Sequence, residues 1–235
     1  MKVKAKARTE SVKKLLSAHP HVELVDDSCD AQIEFEQDGK IRKVWVDHFD
    51  AEVFGLLELA DNNPIVCAAE ISVPSASATL ALIAVGPLIR GGILVEPPSL
   101  VYSFEPDEDS IEAALSLAGW GEGATIAVDG RDLGSVRAMT ALCVIQSVEG
   151  EILDALYDGI YGGAFFVRRV EDGDWDTKLV AGQPFAAYRM RFAPDEPHSL
   201  LSIRVMAEAS GKGGAAQVVH AMNIMCGFEE SLGIR

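Results

Sequence analysis

The run from Ile71 to Leu94, ISVPSASATLALIAVGPLIRGGIL, constrains this chain more than any other stretch. It is the nearest the sequence comes to a membrane helix. Pro74, Ser75, Ser77 and Pro87 break it before it reaches the ~18 uncharged residues that such a helix needs. It therefore reads as core: a buried strand over 65–71, a proline turn, and a helix from Ser77 to Arg90 stopped by Gly91-Gly92. A strand entering an apolar helix in this way calls for a sheet with helices laid against it.

Composition sets the outer limits. The chain has 235 residues, 49% of them hydrophobic, enough for an ordered core in one domain or two small ones. Its net charge of −16 argues against a nucleic-acid surface, which needs a basic stripe. Lys2, Lys4, Lys6, Arg8, Lys13 and Lys14 are the local exception and read as a solvated edge strand and helix face. The four cysteines show no CxxC spacing, and three lie in apolar runs as small buried residues. No signal peptide is evident, so a reducing, cytoplasmic location is expected.

Along the chain, strand patterns fall at 1–7, 21–25, 31–35 and 41–46, with Asp38-Gly39 as a hairpin signal between the last two. A helix capped by Thr9 runs to about Ala18, and a second is expected from Asp50 to about Ala60. Later helices are expected at 110–118, 151–160 and 212–226. Later strands are expected at 125–128, 138–148, 164–170, 185–192 and 200–206, with 93–104 extended. The expected fold class is α+β, a helix-covered mixed sheet. A reduced N-terminal α/β region over 1–70 precedes a domain over 71–235.

Several segments, in order, resemble one family. VFGLLEL (53–59), the run 71–94, EILDALYDGIYGGAFFVRRV (151–170), DTKLVAGQ (176–183) and GKGGAAQVVHAMNIMCGFEESLGI (211–234) resemble N-acetyl-gamma-glutamyl-phosphate reductase. More distantly they resemble aspartate-semialdehyde dehydrogenase. The last two segments are the most specific, and the resemblance covers about half the chain, nearly all of it after residue 50. It implies the C-terminal domain of that type, whose sheet forms the subunit interface.

The resemblance also implies chemistry that this chain lacks. The family's nucleophilic cysteine falls at Ala76, and a methyl group cannot form a thioester or thiohemiacetal. TESVKKLLSAHPHVELV (9–25) resembles the first helix and second strand. That puts the phosphate loop at Ala5–Thr9, AKART, and no glycine precedes Gly39. The family's histidine has no counterpart, because the chain has none between His48 and His198. The Ser-Asn pair after TKxVxG is Gln183-Pro184, and the acidic residue before the final helix survives as Glu208, followed by Ala209. Ser75 and Ser77 read as helix-capping serines, and His220 as a satisfied helix-face histidine.

Weak catalytic candidates remain: Glu58, Lys178, Lys212 and His220, with Thr177 beside Lys178. No cofactor and no metal are expected; NADP enters only if the chain is a working reductase after all. The expected role is a non-catalytic homologue that keeps the oligomerisation domain. It would form a homo-oligomer through the C-terminal sheet or join a true reductase, without nucleic acid or membrane. The competing readings are altered chemistry in the old cleft and small-metabolite binding there.

Overall fold

A computed structural model describes residues 2–60 and 62–234. The chain forms two six-stranded mixed sheets. The first uses β1 (Val3–Ala7), β2 (Val22–Leu24), β3 (Ile33–Gln37), β4 (Lys40–Val46), β5 (Val53–Phe54) and β6 (Glu70–Val73), in the order β2-β1-β3-β4-β6-β5. β1 and β2 are parallel, joined by α1 (Glu10–Ser17), and β3–β4 is a hairpin. Asp38 and Gly39 take φ of +51° and +75° at its turn, the left-handed pair that a two-residue hairpin demands.

One face of this sheet is apolar. Val3, Ala5, Ala7, Ile33, Phe35, Val44 and Ile71 meet α1, α2 (Asn62–Cys67) and α6 (Ala215–Cys226) there. The last helix of the fold thus closes the core of the first sheet. The opposite face carries no helix layer, and its solvation is written into the register. Lys6 lies opposite Glu34, Glu34 opposite Lys43, and Lys43 opposite Glu70. Such opposite-charge neighbours support a wet sheet face. Lys6 also reaches Asp27 at 2.9 Å. β1 is therefore an interior strand, not the expected edge, and its lysines serve this alternation.

The second sheet runs β10 (Val167–Arg169), β11 (Ala186–Ala193), β12 (His198–Glu208), β9 (Val136–Gln146), β7 (Ser99–Tyr102), β8 (Thr125–Val128). Its inner face packs on α3 (Ala76–Arg90), α4 (Glu108–Leu117) and α5 (Gly150–Tyr161). Every residue of α3 from Ser77 to Leu88 is buried. Pro87 has no N–H to give the Ile83 carbonyl one turn back. The Tyr161 hydroxyl donates to that carbonyl at 3.2 Å, and Tyr157 donates to the next one, Ala84. Two tyrosines of α5 thereby satisfy backbone acceptors in the driest part of the fold. The outer face is covered at one end, around Val136, Val180, Ala187 and Met206. Elsewhere it is open, with Leu142 and Leu200 52% and 57% exposed.

Three expectations are corrected. The helix expected over 50–60 is β5 followed by a 3₁₀ turn, Leu57–Leu59, because Gly55 adopts φ +144°, outside any helix. The buried strand expected over 65–71 is α2 and then β6. Periodicity does not separate a short apolar helix from a strand, whereas Pro64 in the first helical turn does. Cys67 is consequently exposed and Cys226 half-buried, leaving Cys143 as the one fully buried thiol. Among the described residues, no helix is long and apolar enough to cross a membrane.

Candidate functional site

The turn from β6 into α3 is held by hydroxyls, two carboxylates and an amide. Ser75 N–H donates to Asp47 Oδ1 at 2.8 Å, and Asp47 itself sits at φ +52°. Ser75 Oγ lies 2.7 Å from Ser110 Oγ and 3.2 Å from Ser77 Oγ. Ser77 Oγ accepts from the Asp107 N–H, and Asp107 caps α4 through Ser110 N–H. Gln217 of α6 donates to Pro74 O and to Thr79 Oγ1, each at 3.0 Å. Among the described residues none of these serine hydroxyls hydrogen-bonds a histidine or a carboxylate, so no base is in place to take a hydroxyl proton. Ala76 begins α3 in the middle of this network. Its methyl faces Gly213, where an added Cβ would sit 3.6 Å away.

Among the described residues, the connection from β1 to α1 offers no cradle for a dinucleotide. Only Arg8 and Thr9 connect β1 to α1, and neither is a glycine. The first turn of α1 carries Glu10, paired to Lys13 at 3.2 Å. Glu10 adds a negative charge to the helix end where a pyrophosphate would bind, which disfavours an anion there. These residues do not fit NADP.

Three of the four candidate residues come together. Lys212 Nζ contacts Glu58 Oε1 and Oε2 at 2.7 and 2.8 Å, with the lysine fully buried and the Glu58 side chain 6% exposed. His220, one helix face further on, stacks on Phe166 with ring centroids 4.2 Å apart; Lys212 Nζ is 5.8 Å from the same ring. His220 Nε2 lies 3.0 Å from Glu230 Oε2, and its Nδ1 has no partner. Lys178 is elsewhere, exposed on a 3₁₀ turn that Asp176 caps. Glu230 and Phe166 carried no sequence signal, because each acts only through a contact distant in the chain.

Burial dominates the electrostatics of this cluster. It pushes Lys212 below the ordinary lysine range, against the opposing pull of Glu58. It also holds His220 below its usual value, so the neutral ring donates Nε2–H to Glu230. That bond in turn lowers Glu230. His19, bonded to Asn223, is lowered by burial too. An unfolded chain takes up a proton at each histidine near pH ~6.5 while the folded chain resists, so stability is lost as pH falls through that region. The melting temperature is expected to drop between pH 7 and pH 5, and His220→Gln to shrink that drop. Thermal unfolding across the range reads both, and an unchanged slope in the variant would remove His220 from the account.

An opening lies between α1 and the loops around 182–184 and 208–216. It holds about 380 Å³ and is lined by Ser11, Lys14, Gln183, Glu208 and Ser210. Glu208 is anchored there by Ser135 Oγ and the Gly182 N–H, each at 3.0 Å.

Comparison with known proteins fits this geometry. A phosphate reductase of Nitrosopumilus maritimus, named for LysW-L-2-aminoadipate and LysW-L-glutamate, is 24% identical over 234 residues. The match takes in 80% of this chain and 64% of that protein. N-acetyl-gamma-glutamyl-phosphate reductase of Shouchella clausii is 26% identical, over 77% of this chain and 61% of its own. Aspartate semialdehyde dehydrogenase II of Vibrio cholerae, complexed with ASA, superposes with a TM-score of 0.64 at 11% identity, covering 96% of this chain and 98% of that one. The chain is thus similar in sequence to these phosphate reductases and shares the fold of aspartate-semialdehyde dehydrogenase. No family model matches it. It spans about six-tenths of the length of the curated reductases it matches. Within this semialdehyde-dehydrogenase-like fold, Ala76 stands at the position that the resemblance gives to the nucleophile. Lys212 and Glu58, both in segments resembling the family, lie in the interior as a closed ion pair.

Proposed function

We propose that this chain is a non-catalytic member of its family that acts as an assembly subunit, with copies of itself or with a true reductase. Ala76 carries the reading. Its methyl stands where a thiolate would be required, and the surrounding serines lack a base. The absence of a phosphate cradle between β1 and α1 supports the same conclusion independently.

The two open sheet faces suggest where association occurs. The first sheet neutralises itself across its strands. The outer face of the second places Leu200 opposite Val144, and Leu142 opposite Ser202, with Arg189 opposite Arg204. Exposed apolar groups rimmed by arginine have the composition of an interface. Pairing with a reductase would tie the chain to amino-acid biosynthesis, and four free thiols accord with a reducing cytoplasmic setting.

Sedimentation velocity is expected to show a dimer or larger species, converted to monomer by Leu200→Glu. Calorimetric titration with NADPH is expected to give no binding. Micromolar NADPH affinity would overturn the non-catalytic reading. A monomer that also ignores purified N-acetyl-gamma-glutamyl-phosphate reductase would overturn the assembly role.

One observation favours a second reading, a metabolite-binding protein: the 380 Å³ opening beside α1 mixes a lysine, a carboxylate and an amide. A ligand held there would raise the melting temperature without changing the association state.

A further inference from the structure

A second opening lies between the β5 segment and the α3–α4 pair. It holds about 260 Å³, and its large apolar lining residues are Phe54, Leu56, Leu59, Leu82 and Leu117. Small residues give it depth. Gly86 of α3 lies so close under the Leu59 side chain that an added Cβ would collide with it. Ala114 and Ala118 line the α4 side. Leu117 is 57% exposed at the mouth.

The single charge on the groove is Arg90, at the end of α3. Its Nη1 donates to the Leu59 carbonyl at 3.2 Å. No carboxylate pairs with it among the described residues, in a chain with 36 acidic and 20 basic side chains. The helix end does not need it as a cap, because the N–H groups of Gly91, Gly92 and Ile93 already take the carbonyls of Pro87, Ile89 and Leu88. A guanidinium fork with spare N–H groups beside an apolar slot matches a carboxylate with a hydrocarbon tail. The volume is below the ~300–1,000 Å³ of drug-sized sites, which restricts the tail to a few carbons.

We propose that this groove binds a small monocarboxylate with an unbranched or branched apolar tail of about four to six carbons, its carboxylate on Arg90 and its tail between Leu59, Leu82 and Leu117. The site shares no residue with the turn at Ala76 or with the outer face of the second sheet, so it stands whether or not the assembly reading does.

The test is an amide NMR titration of the full chain with butyrate, hexanoate, hexan-1-ol and hexylammonium. Hexanoate is expected to saturate shifts at Gly55, Gly86 and Ala118, and to bind roughly fourfold tighter per methylene than butyrate. Arg90→Gln should weaken hexanoate by about tenfold or more while leaving hexanol unchanged. Ala118→Phe, at an exposed position on the rim, should block both without disturbing distant amides. The proposal fails if hexanol or hexylammonium binds as well as hexanoate. It also fails if Arg90→Gln binds hexanoate normally, or if the shifts do not saturate or lie outside the groove.

Discussion

Lys212→Met is expected to lower the unfolding free energy by about 3–5 kcal/mol, the cost of leaving a buried charge without its partner. The methionine fills the space of the lysine stem, so little of the loss comes from packing. What remains is the Glu58 carboxylate, 6% exposed and deprived of both its contacts with the ammonium. Glu58→Gln should be comparably harmful, because Lys212 is wholly buried and burial already works against its charge. The double variant Glu58→Leu with Lys212→Met should recover most of the loss, as apolar replacements of buried pairs commonly do. Urea unfolding of the three variants measures the cycle. A single variant within about 1 kcal/mol of wild type would mean that water reaches the pair, and would reopen Lys212 as a chemical group rather than a structural one.

Arg42→Met should rank with it, at about 3–4 kcal/mol. Arg42 comes from β4 and is 8% exposed. Among the described residues it has no salt-bridge partner; instead it donates mainly to backbone carbonyls. Its Nε and Nη2 reach Ala68 O, Nη2 reaches Ile65 O and Val66 O, and Nη1 reaches Met225 O at 2.6 Å and Gln37 Oε1 at 2.9 Å. These carbonyls end α2 and α6, so one cation serves the negative ends of two helices packed on the same sheet. Burial depresses the guanidinium, yet arginine stays charged at any pH the fold survives. Arg42→Lys is expected to lose nearly as much, since one ammonium cannot reach acceptors spread along a fork. Denaturant midpoints for the two variants would show it. A lysine variant with wild-type stability would reduce the contribution of Arg42 to its charge alone.

The sequence made some of this legible and hid the rest for physical reasons. The β3–β4 hairpin, the helix ending at Arg90, the strand at 125–128 and the final helix follow from turn chemistry and periodicity, which are local. Arg42 was readable in principle: period two counted back from Val44 turns it inward and puts Ile41 outward, where it is 61% exposed. Hydropathy alone argues the reverse. The segment 50–71 was misread because a glycine at φ +144° and a short apolar helix leave no periodic trace. At the candidate site, Glu58, Lys212 and His220 were each picked out singly. Their joining in one buried cluster, and the exclusion of Lys178, depend on residues 154 positions apart in the chain. No local pattern reports such a contact.

The place of α6 has a consequence for how the molecule comes into being. The strands of the first sheet leave the ribosome early, but the helix that covers their apolar face comes after nearly the whole of the second sheet. At about 5–20 residues per second, β1 waits roughly 10–40 s for its cover. During that time Val3, Ala5, Ile33 and Phe35 form a greasy half-sheet with α1 as its main shelter. The second sheet has no such delay, since its helices α3, α4 and α5 are interleaved with its strands. Newly made chains should therefore carry a finished second sheet beside an unsealed first one, open to chaperones until α6 arrives.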